Sequence, residues 1–330
     1  MTAIIEGGAS RVAGLDMLRG VAAIGVVLFH LSWAAHLLDD SVPTFAVGAL
    51  GVQMFFVISG YVILMTAYRS PSRGAFVRAR AIRLYPAFLV CLGLTTTWAL
   101  ALHLSYYELS PSAWLLNLTM VPGWFGARAA DGVYWTLRYE IGFYALVALL
   151  LPWVKRGLAL QLGAIFLLAL PWLPELRLGA FFVMGIAIYE WRGNRLFAGA
   201  VLIAAVIIGR DVDLTISAPL LVAIAGKVPV PRAAAAWAGA ISYPLYLLHD
   251  HIGCVLVMLY RGLGLWAALV LALISVVLLA AFVSHFLERP AIAFLKRKYK
   301  ETGRYLNPGR MFLRNETNKP RTGSGIPDLS

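Results

Sequence analysis

Three ionisable side chains stand inside one apolar run near the start of the chain: Asp16, Arg19 and His30, within residues 15–38. Histidine titrates near neutral pH, so an imidazole in apolar surroundings is suited to take a proton from a hydroxyl or to attack a carbonyl itself. Eleven residues separate Arg19 from His30. On a helix that spacing leaves them within about 20° of one face and about 16 Å apart along the axis. Asp16 lies one turn before Arg19 on nearly the same face, so a polar stripe runs from one end of the helix towards its middle. The bland alternative is that Arg19 snorkels to lipid headgroups while His30 hydrogen-bonds a neighbouring helix.

A second cluster follows at Trp135, Arg138, Tyr139 and Glu140. A buried carboxylate there can pair with Arg138 or orient a histidine from another helix. Residues two apart do not face each other on a helix, so at least one of Arg138 and Glu140 needs a further partner. A third cluster runs from Ser242 through Tyr243 and Pro244 to His249, Asp250 and His251. Pro244 predicts a kink, and three consecutive ionisable groups must point in different directions. His251, His36, His103 and His285 are read as bystanders near span ends. Ser59 lies between Gly51 and Gly60 in an apolar run whose small residues allow close helix packing. Five arginines and no acid occupy residues 69–83. They satisfy a topology bias, and the sharper reading is an anion site at the cytoplasmic mouth, because guanidinium forks match phosphate oxygens.

The elements that must position these groups follow from composition. Of 330 residues 61% are hydrophobic and 13% charged, which a water-soluble fold could not bury. The net charge of +12 does not point to nucleic acid, because the basic residues sit in short loops between apolar runs and in the tail. Runs near 15–38, 45–67, 84–104, 134–153, 158–173, 176–190, 196–209, 213–226, 236–258 and 264–286 predict an all-α, polytopic integral membrane bundle of about ten transmembrane helices. With the N-terminus inside, eleven Lys/Arg fall in cytoplasmic loops and four outside, which favours both termini in the cytoplasm. The first run is read as a retained helix, since no cleavable-signal pattern precedes it. Residues 105–133 are too short and Gly/Pro-broken to span, and predict a re-entrant or interfacial segment able to cap a cavity. Residues 1–290 form the membrane domain and 291–330 a basic, largely disordered cytoplasmic tail. Cys91 and Cys254 suggest neither a disulfide nor a metal site, and no metal is expected.

Taken in order, the motifs resemble the acyltransferase-3 family of membrane O-acyltransferases. The resemblance is carried by Leu15-Asp16-Met17-Leu18-Arg19-Gly20 with His30 following, and by Gly51 to Gly60 around Phe55-Phe56 and Ser59. It continues in Arg80-Ala81-Ile82-Arg83-Leu84-Tyr85-Pro86, Tyr134-Trp135-Thr136-Leu137-Arg138-Tyr139-Glu140, Ser242-Tyr243-Pro244-Leu245-Tyr246-Leu247-Leu248-His249, and Glu288-Arg289-Pro290. These blocks cover residues 15 to 290 or so. About forty residues follow, so the chain resembles the stand-alone form without a fused esterase-like domain, and the fourth block resembles exopolysaccharide O-acetyltransferases. Arg138 departs from the pattern, since many relatives have a neutral residue there.

The resemblance implies transfer of an acyl group, acetyl by analogy, from cytosolic acyl-CoA (acetyl-CoA) to a sugar hydroxyl of a cell-surface or exported glycan or glycolipid, by an enzyme of the inner membrane. Catalysis is then expected from His30, Glu140 and Arg19, with the CoA phosphates at Arg78, Arg80 and Arg83. Asp16, Ser59, Trp135, Tyr243 and His249 are possible supporting residues. His30 acts either as general base or as acyl carrier, Glu140 is expected to orient its ring, and Tyr243 or Ser59 to donate to an oxyanion. The rival reading is a transporter or flippase for a polar or glycan-type substrate, which also uses polar midplane residues and broken helices.

Overall fold

A backbone in hydrocarbon must satisfy its own hydrogen bonds, and this chain does so with helices. The structure is a computed structural model and describes residues 13–104, 109–173, 176–191, 193–209, 217–225 and 229–305. Among them every regular element is helical. The helices are α1 (Ala13–His36), α2 (Gly51–Arg69, entered through a 3₁₀ turn at Ala46–Leu50), α3 (Arg73–Ala101), α4 (Pro111–Asn117), α5 (Leu137–Leu149) and α6 (Leu151–Trp172). They continue as α7 (Gly179–Glu190), α8 (Arg195–Gly209), α9 (Ser217–Ala225), α10 (Arg232–Leu248), α11 (His251–Tyr260), α12 (Leu265–Phe282) and α13 (Arg289–Tyr305).

Five runs are each long and apolar enough to cross a membrane: Ala13–His36, Ala46–Arg69, Arg73–Ala101, Leu151–Trp172 and Leu265–Tyr299. A sixth crossing is possible if α10 and α11, bent 75° from each other, form one span. The single helix expected over 236–258 is therefore broken. α5, α7, α8 and α9 are shorter apolar helices.

Three local features depart from or refine the expectation. The basic stretch 68–83 is not a loop, because Ser72 caps α3 by accepting the Ala75 N–H at 3.2 Å, so Arg73 to Arg83 are helical. Residues 154–157 do form a corner, which Gly157 makes at φ +83°, a conformation open to a residue without Cβ. The basic tail begins as a helix: α12 passes through a wide turn at Val283–Glu288 into α13, while 306–330 lie outside the described residues. Within 109–133 there are only short helical pieces. Asn117, fully buried, staples them by donating to the Ala113 and Arg128 carbonyls at 2.8 and 2.9 Å and accepting the Ala130 N–H at 2.9 Å.

Two close crossings set the helix register. α1 lies against α10, where Gly20 meets Ala238 and Gly239 meets Asp16. α2 crosses α7 at Gly60 and Gly185, and a Cβ on either would overlap a backbone carbonyl oxygen, of Phe182 and Val57 respectively. Small residues at such points let helices approach without a hydrophobic driving force. Gly60→Val or Gly185→Val should therefore cost about 1–3 kcal/mol of overpacking, seen as a lower melting temperature in detergent. Gly93→Ala, with open space around it, should leave melting unchanged or raised; equal melting of all three variants would contradict this packing.

Candidate active site

Five helices bring their polar residues to one small cavity of about 80 Å³. Arg19 of α1, Ser59 of α2, Arg80 and Arg83 of α3, Glu140 and Tyr144 of α5, and Tyr243 and Tyr246 of α10 line it. Arg80 and Arg83 share a face because they are three residues apart on α3. Glu140 accepts a hydrogen bond from the Tyr144 hydroxyl one turn on. Arg83 is ion-paired with Glu288, from the turn after α12, and its guanidinium lies 5.7 Å from the Tyr243 ring centroid. Arg80 donates to the Thr66 hydroxyl at 3.4 Å, while its buried Nε has no hydrogen-bond partner among the described residues. The buried Tyr243 hydroxyl is likewise without one. Three guanidinium groups against one lining carboxylate make the cavity suited to anionic oxygens.

His30 does not line this cavity. It sits further along α1, where the α10–α11 break turns the chain beside it. His249 is fully buried in that break and its Nδ1 lies 2.8 Å from the Tyr246 carbonyl, one of the acceptors that the end of α10 leaves without a helical partner. Only an Nδ1–H can make that bond, so the neutral ring presents Nε2 as an acceptor. That Nε2 is 3.1 Å from His30 Nδ1, which is also 3.0 Å from the Val26 carbonyl. Both neighbours accept, so the hydrogen-bond pattern assigns the proton of His30 to Nδ1 and leaves its Nε2 lone pair unused by this network. The ring of Tyr246 touches that of His249 (centroids 5.5 Å) and lines the cavity, so it stands between the cavity and the histidine pair with Phe55 against it. Behind the pair, Asp131 accepts the Val133 and His251 N–H groups at 3.1 and 3.3 Å. Burial, and then the neighbouring Asp250, push the Asp131 carboxyl well above the usual carboxylate range.

The acyltransferase-3 model, described as an acyltransferase domain, matches residues 12–286. The chain belongs to the acyltransferase-3 family. It is 31% identical over 169 residues to nodulation protein 10 of Rhizobium leguminosarum bv. viciae, covering 43% of this chain and 46% of that protein. It is 34% identical over 176 residues to the putative membrane-bound transacylase BcsY of Komagataeibacter xylinus, covering 48% and 42%. Over 92 residues it is 41% identical to the O-acetyltransferase OatA of Staphylococcus aureus, covering 26% and 14%. The chain thus spans less than half the length of each of these relatives. No solved structure matches significantly.

Against the family motifs, the structure gathers Arg19, Ser59, Arg80, Arg83, Glu140 and Tyr243 at the cavity and His30 with His249 beyond it. Asp16 stays on α1 below Arg19, against Gly239. Glu140 does not orient His30; its carboxylate takes the Tyr144 hydroxyl and the ring partner is His249. The three arginines expected to act together are divided. Arg78 turns away from the cavity to the ring and hydroxyl of Tyr299 on α13, because a residue two before Arg80 faces elsewhere. Trp135 is 42% exposed and packs on Tyr139, outside the cavity. Arg138 and Glu140 are not an ion pair: the first is exposed against Tyr139, the second faces the cavity. His251, expected at the rim, is buried. Among the described residues no group of three or more His, Cys, Asp or Glu is placed to hold a metal ion. Sequence reasoning assigned no role to Tyr144, Tyr246 or Glu288, although helical spacing from Glu140 and His249 carries a signal for the two tyrosines.

Nitrogen-15 NMR of histidine-labelled protein near neutral pH should show His30 and His249 both protonated at Nδ1 and bare at Nε2. Protonation of His30 at Nε2 instead would contradict the assigned network.

Proposed function

We propose that the protein is a membrane O-acyltransferase that moves an acyl group, acetyl by analogy, from cytosolic acyl-CoA to a sugar hydroxyl of an exported or surface glycan. The observation that carries this reading is the half-buried His30, whose Nε2 is left bare by a network that fixes its other nitrogen. Family membership supports the reaction class over transport. The loop charges support a bundle of about ten spans in the inner membrane, with both termini and the Arg78–Tyr299 end on the cytoplasmic side.

In this reading the CoA phosphates meet Arg80, with Arg83 beside it, at the cytoplasmic side of the cavity, and Arg78 takes no part. The buried Arg80 Nε is the donor best matched to a phosphate oxygen. The acyl end passes Arg19 and the Phe55–Tyr246 wall to reach His30. The acceptor oxygen bonds to the thioester carbonyl carbon while its proton moves to His30 Nε2. The carbon–sulfur bond then breaks, and the leaving thiolate takes that proton. Donation from His30 Nδ1 to His249 and Val26 stabilises the transient imidazolium. The Tyr243 hydroxyl and Arg19 lie on the donor path, where they favour negative oxygen.

Purified protein given acetyl-CoA and a crude surface-glycan extract should release CoA, and His30→Ala should abolish release without lowering the melting temperature. Full activity in that variant would remove the core of the proposal. Arg80→Gln should raise KM for acyl-CoA about tenfold, the loss of one charge-assisted hydrogen bond. Arg83→Gln should also destabilise the fold, by about 3–5 kcal/mol, because it leaves Glu288 buried and unpaired. Adding Glu288→Gln to it should recover most of that loss in thermal melting.

A further inference from the structure

On the other face of α5 lies a larger cavity of about 450 Å³, between α5, α6 and α7. Its walls are almost wholly carbon, among them Phe143 and Leu146 of α5, Leu150 just past its end, Phe166 of α6 and Phe182 of α7. The lining positions run along α5 from Arg138 to Leu150 at its C-cap, about 18 Å at the helical rise. Such a groove matches an extended hydrocarbon chain rather than a compact solute.

One end of the groove is polar. Arg138 stands there with its guanidinium 5.0 Å from the Tyr139 ring centroid, donating to the Tyr139 hydroxyl at 3.3 Å, so the side chain is held at the mouth. A guanidinium carries five N–H donors, and a phosphate accepts two of them as a fork. Trp124, in the groove lining, and Trp135 are both partly exposed nearby, the placing of aromatic rings at headgroup depth. The groove is separate from the donor path, because Phe143 stacks on Phe182 at 4.3 Å and Phe182 packs at a tilt against Phe56 at 4.8 Å, and this wall parts it from the cavity that Phe56 lines. A long acyl chain of the donor is therefore not its occupant.

We propose that this groove binds the isoprenoid chain of a lipid-carried glycan, with Arg138 forked to the phosphate that joins chain to sugar. A groove served by one row of α5 positions takes one chain, whereas a diacyl phospholipid brings two. Arg138 and Glu140 are about 3 Å apart along the axis and face opposite ways, so a phosphate on Arg138 places its sugar at the end of the bundle that holds the histidine pair. Naming this lipid the acceptor rests on the acyl-transfer reading; its binding does not.

The test is titration of the full chain in nanodiscs with a fluorescent polyprenyl phosphate, with phosphatidylglycerol and inorganic phosphate as competitors. Gly142→Phe adds a ring to the groove at a position where a Cβ meets only the Trp124 ring, at 3.8 Å; Leu146→Trp repeats the block one turn on. Saturable binding is expected, about tenfold weaker in Arg138→Gln and in either blocking variant, and unchanged in His30→Ala. Equal competition by phosphatidylglycerol would make this a bilayer-lipid site and overturn the proposal. Competition by inorganic phosphate alone would overturn the role of the chain, and so would unchanged binding in both blocking variants. Saturable, groove-dependent binding by protein that transfers no acyl group would uphold the lipid site and count against the acyl-transfer reading instead.

Discussion

A charge placed among apolar helices costs about 2.5–3.5 kcal/mol or more unless another group answers it, and in this bundle the answer usually comes from a different helix. Arg83 of α3 is met by Glu288 beyond α12. Arg19 of α1 reaches the cavity where Glu140 of α5 holds the Tyr144 hydroxyl. These pairings add little to net stability, since desolvation consumes most of the Coulombic gain. Their effect is on register: sliding any of these helices by one residue would strand a charge in hydrocarbon. The glycine crossings of α1 with α10 and α2 with α7 act in the same direction through shape.

The break between α10 and α11 links this scaffold to chemistry. A continuous helix would spend the Tyr246 carbonyl on its own backbone. The 75° bend frees it, and the His249 ring caps it. That bond settles the state of His249, which in turn settles that of His30. A structural defect in one helix thereby determines which nitrogen of a half-buried imidazole on another is left bare. Tyr246 belongs to both sides of this arrangement, with its carbonyl in the cap and its ring against the cavity.

Much of this was legible in the sequence because burial of charge is legible. Arg19, His30 and Glu140 stood out as ionisable groups in apolar runs, and Arg80 and Arg83 as members of an acid-free basic cluster. One error came where a partner lies far away in the chain; the others were local. Arg78 fits the same basic stretch as Arg80, yet Tyr299, over two hundred residues on, takes it to another surface. Glu140 had to orient something, and helical spacing would have offered Tyr144 before any histidine. The extent of α3 was misjudged because five arginines look like a loop, whereas the Ser72 cap and the good helix propensity of arginine make them helical. Pro244 announced a kink in α10, but the bend falls at His249–Asp250, after the last turn rather than at the proline.

The central claim is that the acyl group crosses between the two ends of the bundle while CoA stays at one. Reconstitution into proteoliposomes of known orientation, with acyl-CoA and glycan acceptor confined to opposite sides, tests it most directly. The account predicts free CoA on the side that bears α13 and acylated acceptor on the other. Transfer only when both substrates are on the same side would contradict it.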